Sequence, residues 1–77
     1  MSKLPIVSAK QMESLILRLG FREVRRKGSH VFYRHPDGRV TTIPHHKGRD
    51  LARPLIVAIL REIQVSAETF TKLLKKV

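Results

Sequence analysis

Between Phe21 and Pro44 the chain carries three short runs of strand-forming residues separated by turns of only a few residues, and that spacing leaves few folds open. Phe21 to Arg26 alternates loosely as a strand, Lys27 to Ser29 turns, and His30 to His35 is rich in aromatic and β-branched residues. Pro36-Asp37-Gly38-Arg39 reads as a hairpin connection, since Pro supplies a preset φ and Gly tolerates a positive one. Val40 to Pro44 makes the third strand. Connections this short join antiparallel neighbours, so the middle of the chain is a three-stranded meander, one face of which must be covered.

Helical patterns stand ready at both ends to cover it. Ser8 with Gln11 three residues on is a capping box, and Met12, Leu15, Ile16 and Leu19 follow at the i, i+3, i+4, i+7 spacing, with Gly20 as the stop. After a polar, basic loop from His45 to Arg53, Pro54 suits the first turn of a second helix, to which Leu55, Ile56, Ile59, Leu60 and Ile63 give a wide apolar stripe. Ser66 caps a last short helix carrying Phe70, Leu73, Leu74 and Val77 at helical spacing. Its charges suit the helix dipole, Glu68 near the positive end and Lys72, Lys75 and Lys76 near the negative end. The expected fold class is α+β in the order α-β-β-β-α plus a short C-terminal helix, with the helices on one face of the sheet.

Length holds this to one domain, residues 1–77, which buries about 60% of the surface its unfolded chain exposes. With no cysteine there is neither a disulfide framework nor a Cys-based zinc site, and stability must come from packing. The longest apolar run, Leu55 to Leu60, falls far short of the roughly 20 residues that cross a bilayer, and the N-terminus lacks a signal-peptide apolar region. A soluble protein of the cytoplasm, with no membrane partner, is expected.

Sixteen Lys and Arg against six Asp and Glu give a formal charge of +10, and nine of the basic residues lie between Arg22 and Arg53 with only three acidic ones. Dense basic stretches interleaved with aromatic residues suit phosphate contacts, which makes nucleic acid the expected partner, although an acidic protein would fit the same charge. Within that stretch Gly28-Ser29-His30 follows the basic run Arg25-Arg26-Lys27 and precedes Val31-Phe32-Tyr33. Histidine is the side chain whose ordinary titration range suits proton transfer near neutrality, and neighbouring cations are what a polyanionic substrate needs.

A short amphipathic helix ending in Leu-Gly-Phe, then Lys-Gly-Ser-His, Phe-Tyr-Arg-His-Pro-Asp-Gly-Arg and Ile-Pro-His-His, then a proline-started helix with Ala-Ile-Leu-Arg-Glu-Ile, closely resembles the HicA family of toxins, also called YcfA-like. The resemblance runs from about Gln11 to Phe70. It implies the double-stranded-RNA-binding fold, a ribonuclease that cuts messenger RNA, and silencing by a cognate HicB-type antitoxin. It also implies that the catalytic histidine of the Gly-Ser-His motif is His30. Relatives often carry a second histidine where this chain has Val31, and of the doubled His45-His46 the family pattern supports only the second.

The chemistry of the residues agrees. No carboxylate cluster or dense metal-ligand spacing is present, so no cofactor and no metal are expected, and RNA brings its own nucleophile in the 2′-hydroxyl. His30 is the candidate general base for its attack, with Lys27, Arg25, Arg26, Lys47 and Arg49 as cations for the developing charge. Ser29 is a further RNA-binding candidate, and His46 an auxiliary one that could protonate the leaving group. His35, before Pro36, belongs to turn chemistry.

Strand alternation raises a question about His30. It shares a face with Phe32 and Arg34, while Val31, Tyr33 and His35 share the other. If Phe32 is core, His30 has to escape at the strand's edge, as a bulge near Gly28 would permit. Two other functions fit the same chain: a non-catalytic RNA-binding module, and a pure protein-interaction partner whose basic face meets an acidic protein. Against the first, the closing helix lacks the Lys-Lys-x-x-Lys start of phosphate-clamping versions of this fold.

Overall fold

The computed structural model describes residues 4–75, so the Lys76 and Val77 of the expected last helix lie outside the described residues. Helix α1 spans Ala9–Arg18, strands β1, β2 and β3 span Arg22–Lys27, His30–Arg34 and Val40–Pro44, and helices α2 and α3 span Arg53–Ile63 and Ala67–Leu74. The sheet is antiparallel in the order β1-β2-β3, which puts β2 in the middle.

The element ends follow local chemistry. At the start of α1 the Gln11 N–H donates to Ser8 Oγ at 3.2 Å and the Ser8 N–H to Gln11 Oε1 at 2.8 Å, the reciprocal capping box that satisfies two otherwise orphaned donors. Gly20, at φ +103°, then turns the chain, and a Cβ there would stand 2.9 Å from His35 Nε2, so both the backbone conformation and the space demand glycine. Helix α2 has Pro54 in its first turn and no side-chain cap at Ala52, while Ser66 caps α3 by accepting from the Thr69 N–H at 3.1 Å.

Between β2 and β3, the Gly38 N–H donates to the His35 carbonyl at 2.9 Å and the His35 N–H to the Arg39 carbonyl at 2.8 Å, closing the turn that Pro36 and Gly38 announce. Its Arg39 reaches across to the end of α2: Nη1 donates to the Ile63 carbonyl and the guanidinium lies 5.1 Å from the centre of the Phe21 ring. That carbonyl is one of those a helix C-terminus leaves without an internal partner.

All three helices sit on one side of the sheet, α1 and α2 against β3 and α3 against α2. Met12, Leu15 and Ile16 from α1, Ile56, Ile59, Leu60 and Ile63 from α2, and Phe70 from α3 are buried against Phe21, Val31, Tyr33 and Ile43. Each such side chain contributes about 1.5–3 kcal/mol on burial. Leu19, Leu55, Leu73 and Leu74 are partly buried around this core.

Candidate functional site

Register decides where the titratable and basic side chains go. Lys27 pairs with His30 across β1 and β2, so Gly28 and Ser29 form a two-residue hairpin loop. Gly28 has φ +59° and Ser29 has no positive φ, the pattern of a turn with glycine at its first central position. A Cβ at Gly28 would meet nothing within 4 Å, so conformation alone calls for glycine there. The turn makes His30 the first residue of the central strand, between Lys27 on β1 and Pro44 on β3.

Tyr33, not Phe32, is the core aromatic of β2. Val31 and Tyr33 are buried under the helices, whereas His30 and Arg34 are exposed and Phe32 is half-buried. The face turned away from the helices therefore carries Lys27-His30-Pro44 in one cross-strand row, Arg25-Phe32-Thr42 in the next and Arg22-Arg34-Val40 in the third. His30 reaches solvent by ordinary alternation, and the bulge expected near Gly28 is not needed. The irregularity lies instead between Glu23 and Arg25, leaving Val24 as the extra residue, 60% exposed.

Past the bulge, alternation back from the Lys27–His30 pair sorts the basic run. Arg25 pairs with Phe32 on the open face, its guanidinium 5.8 Å from the ring centre, while Arg26 pairs with Val31 on the opposite face and lies 3.5 Å from Glu23. Of the residues picked out from the sequence, Arg25 and Lys27 thus share a face with His30 and Arg26 does not. The Ser29 carbonyl accepts from the His45 N–H at 2.7 Å, which continues the β2–β3 ladder one step past Pro44. The imidazole of His30 makes no hydrogen bond among the described residues and is open to a ligand.

Lys47, Arg49 and His46 form a second group. They line a cleft of about 680 Å³ together with His45 and the Ser8–Lys10 start of α1. The loop is pinned there by the Leu51 N–H donating to the Val7 carbonyl at 2.8 Å, and it turns where the Arg49 N–H donates to the His46 carbonyl at 3.1 Å. His30 is not among the lining residues of this cleft.

The other two histidines have structural partners. His35 packs edge-on against Phe21 at 5.1 Å, with Nε2 3.0 Å from the Leu19 carbonyl and Nδ1 accepting from the Asp37 N–H at 3.1 Å. This is the turn role expected of it. His45 was not singled out for a role by its sequence context, yet it joins a chain of three: the Tyr33 hydroxyl donates to Glu13 Oε2 at 2.5 Å and stands 3.0 Å from His45 Nε2. Burial first, then the hydrogen bond to Glu13, pushes the Tyr33 phenol well above its ordinary titration range. The available signal was Tyr33 itself, since an inward-facing tyrosine needs a partner for its hydroxyl.

No group of three or more His, Cys, Asp or Glu residues among the described residues is arranged to hold a metal ion. No described helix is long and apolar enough to cross a membrane. No curated protein matches the chain. The family model of the HicA toxin of bacterial toxin-antitoxin matches residues 9–65, from the first residue of α1 to just past α2. That stretch includes the Gly28-Ser29-His30 turn, the whole sheet and the His45-His46 loop, and it makes up most of the chain. The chain belongs to the HicA family of bacterial toxin-antitoxin toxins.

Proposed function

We propose that this protein is the toxin of its pair by virtue of cutting messenger RNA, as a metal-independent endoribonuclease with His30 as general base. One observation carries the reading: among the described residues, the one unengaged imidazole on the open sheet face lies beside Lys27 and one row from Arg25, at the rim of the central strand. The unprotonated imidazole takes the proton of a 2′-hydroxyl, whose oxygen attacks the adjacent phosphorus. The bond from phosphorus to the 5′ oxygen breaks, leaving a 2′,3′-cyclic phosphate, and the departing oxygen gains a proton from solvent.

Such a base is worth about 10²–10⁴ in rate, and cations at the pentavalent phosphorus add to it electrostatically. Lys27 and Arg25 are suited to that second task. Lys47 and Arg49 extend the positive surface along the loop cleft, with His46 beside them, and bind the strand further from the cut. A toxin of this family is paired with an antitoxin, and one of HicB type that covers the basic face would silence the enzyme by denying RNA access to His30.

Parallel induction of wild type and His30→Ala tests this. Growth arrest and RNA fragments with 5′-hydroxyl ends are expected from wild type alone. Equal toxicity and identical ends from both proteins would remove His30 from the mechanism.

A further inference from the structure

The open face of the sheet holds an aromatic ring that the core does not use. Phe32 is half-buried at the middle of the central strand, although the neighbouring Val31 and Tyr33 are fully enclosed. Its cross-strand partner on β1 is Arg25 and on β3 is Thr42, and Arg22 and Arg34 form the row beyond. A shallow depression here is lined by Arg25, Phe32 and Arg34 among others and also by Tyr33, Thr41 and Glu62, whose carboxylate accepts from the Thr41 hydroxyl at 2.7 Å. A half-buried ring on the open face, framed by three arginines, is poorly explained by folding alone.

From this arrangement we infer that Phe32 is a stacking platform for an unpaired base, so that the protein takes single-stranded RNA laid across the open sheet face. The inference rests on the ribonuclease reading only in taking RNA as the ligand. Every base has a π-face, and a ring within a cationic groove binds single strands with little sequence preference. Phe32 and His30 are two residues apart on the same face of one strand, about 7 Å along it. A nucleotide stacked on Phe32 therefore brings a neighbouring phosphate to the imidazole.

Arg25 completes the device. Its guanidinium covers the ring in the free protein, and such a contact at an exposed site is weak. An arriving base replaces it on the ring, and the freed arm turns to a phosphate. A duplex has no free base face to offer, so it gains nothing from Phe32. The face thus selects unpaired RNA at the cutting site.

Binding to a 2′-O-methyl RNA oligonucleotide, which lacks the nucleophile and stays intact whichever residue is the base, separates this inference from the catalytic one. Phe32→Ala is expected to lose about tenfold in affinity for the single strand and to keep its affinity for the same sequence annealed to its complement. Phe32→Trp would be the sole tryptophan of the chain, and its fluorescence should be quenched by the single strand but not by the duplex. Undiminished single-strand affinity in Phe32→Ala, or equal losses on both RNA forms, overturns the inference and assigns the ring to a protein partner or to the packing of the sheet. An unquenched tryptophan at saturating single strand overturns it as well.

Discussion

His45 Nε2 lies 3.0 Å from the Tyr33 hydroxyl, and because the single phenolic proton is directed at Glu13 Oε2, the histidine is the donor of that second bond. His45 accordingly carries its hydrogen on Nε2. The chain Glu13-Tyr33-His45 ties α1, the central strand and the start of the loop together at one point, a step from the Ser29 carbonyl that receives the His45 N–H.

Removing the middle of that chain should be costly. Tyr33→Phe keeps the buried ring but leaves Glu13 and His45, both largely shielded from water, without their shared partner. A loss of about 1–3 kcal/mol is expected from urea unfolding. A change below about 0.5 kcal/mol would mean that water replaces the hydroxyl without penalty.

The same tyrosine sets an alkaline limit. The fold favours the neutral phenol, so its contribution is complete below the ordinary tyrosine value near 10 and is lost as pH rises through that value toward the raised one of the folded state. Unfolding free energy measured either side of about pH 10 should fall more steeply for wild type than for Tyr33→Phe. Parallel slopes would contradict the raised value.

At the acid end the hairpin takes over. Hydrogen bonds from the Arg39 side chain and then its backbone N–H hold the Asp37 carboxyl below the usual range. A lowered carboxylate stabilises the fold above its unfolded value and ceases to do so as pH falls through the folded one. Asp37→Asn should therefore lower stability at neutral pH and flatten its loss on acidification below about pH 4, so that the two proteins converge in acid.

Arg39 does more than hold Asp37. It is also bonded to the Ile63 carbonyl at the end of α2 and lies over Phe21. Arg39→Ala should cost about 1.5–3 kcal/mol, the range for hydrogen bonds to charged groups. Arg39→Lys, which keeps the charge but not the fork, should recover less than half of it in thermal unfolding.

Neighbours in sequence should differ in RNA binding. Arg25 faces the side of His30 and Arg26 the other. If Arg25 meets one phosphate, Arg25→Ala lowers the slope of log affinity against log salt for a single strand by about 0.7. Arg26→Ala should leave the slope unchanged, and equal reductions would place both arginines on the RNA.

Much of this architecture could be read from local rules. The capping box at Ser8 and Gln11, the Gly20 stop, the Pro36-to-Arg39 turn and the Pro54 start all depend on residues within a few positions of one another. The basic face depends on register instead. Periodicity allowed either Phe32 or Tyr33 into the core, and what favours Tyr33 is Glu13, twenty positions away in sequence. The bulge at Val24 is likewise silent in the sequence, because no glycine or proline marks it, and so the side on which Arg22 falls was illegible. His46 drew notice through its family pattern, whereas the partners of His45 stand on β2 and α1, at Tyr33 and Glu13, far from it in sequence.

The hairpin between Lys27 and His30 has a consequence for which cation stands beside the imidazole. His30 keeps its face through its own strand, where Val31 and Tyr33 are held in the core, but its partner on β1 is set by a loop of two residues. One residue added or lost there would slip the β1–β2 pairing and turn a different member of the basic run toward the open face. The neighbour of His30 is thus written in a length as much as in a letter.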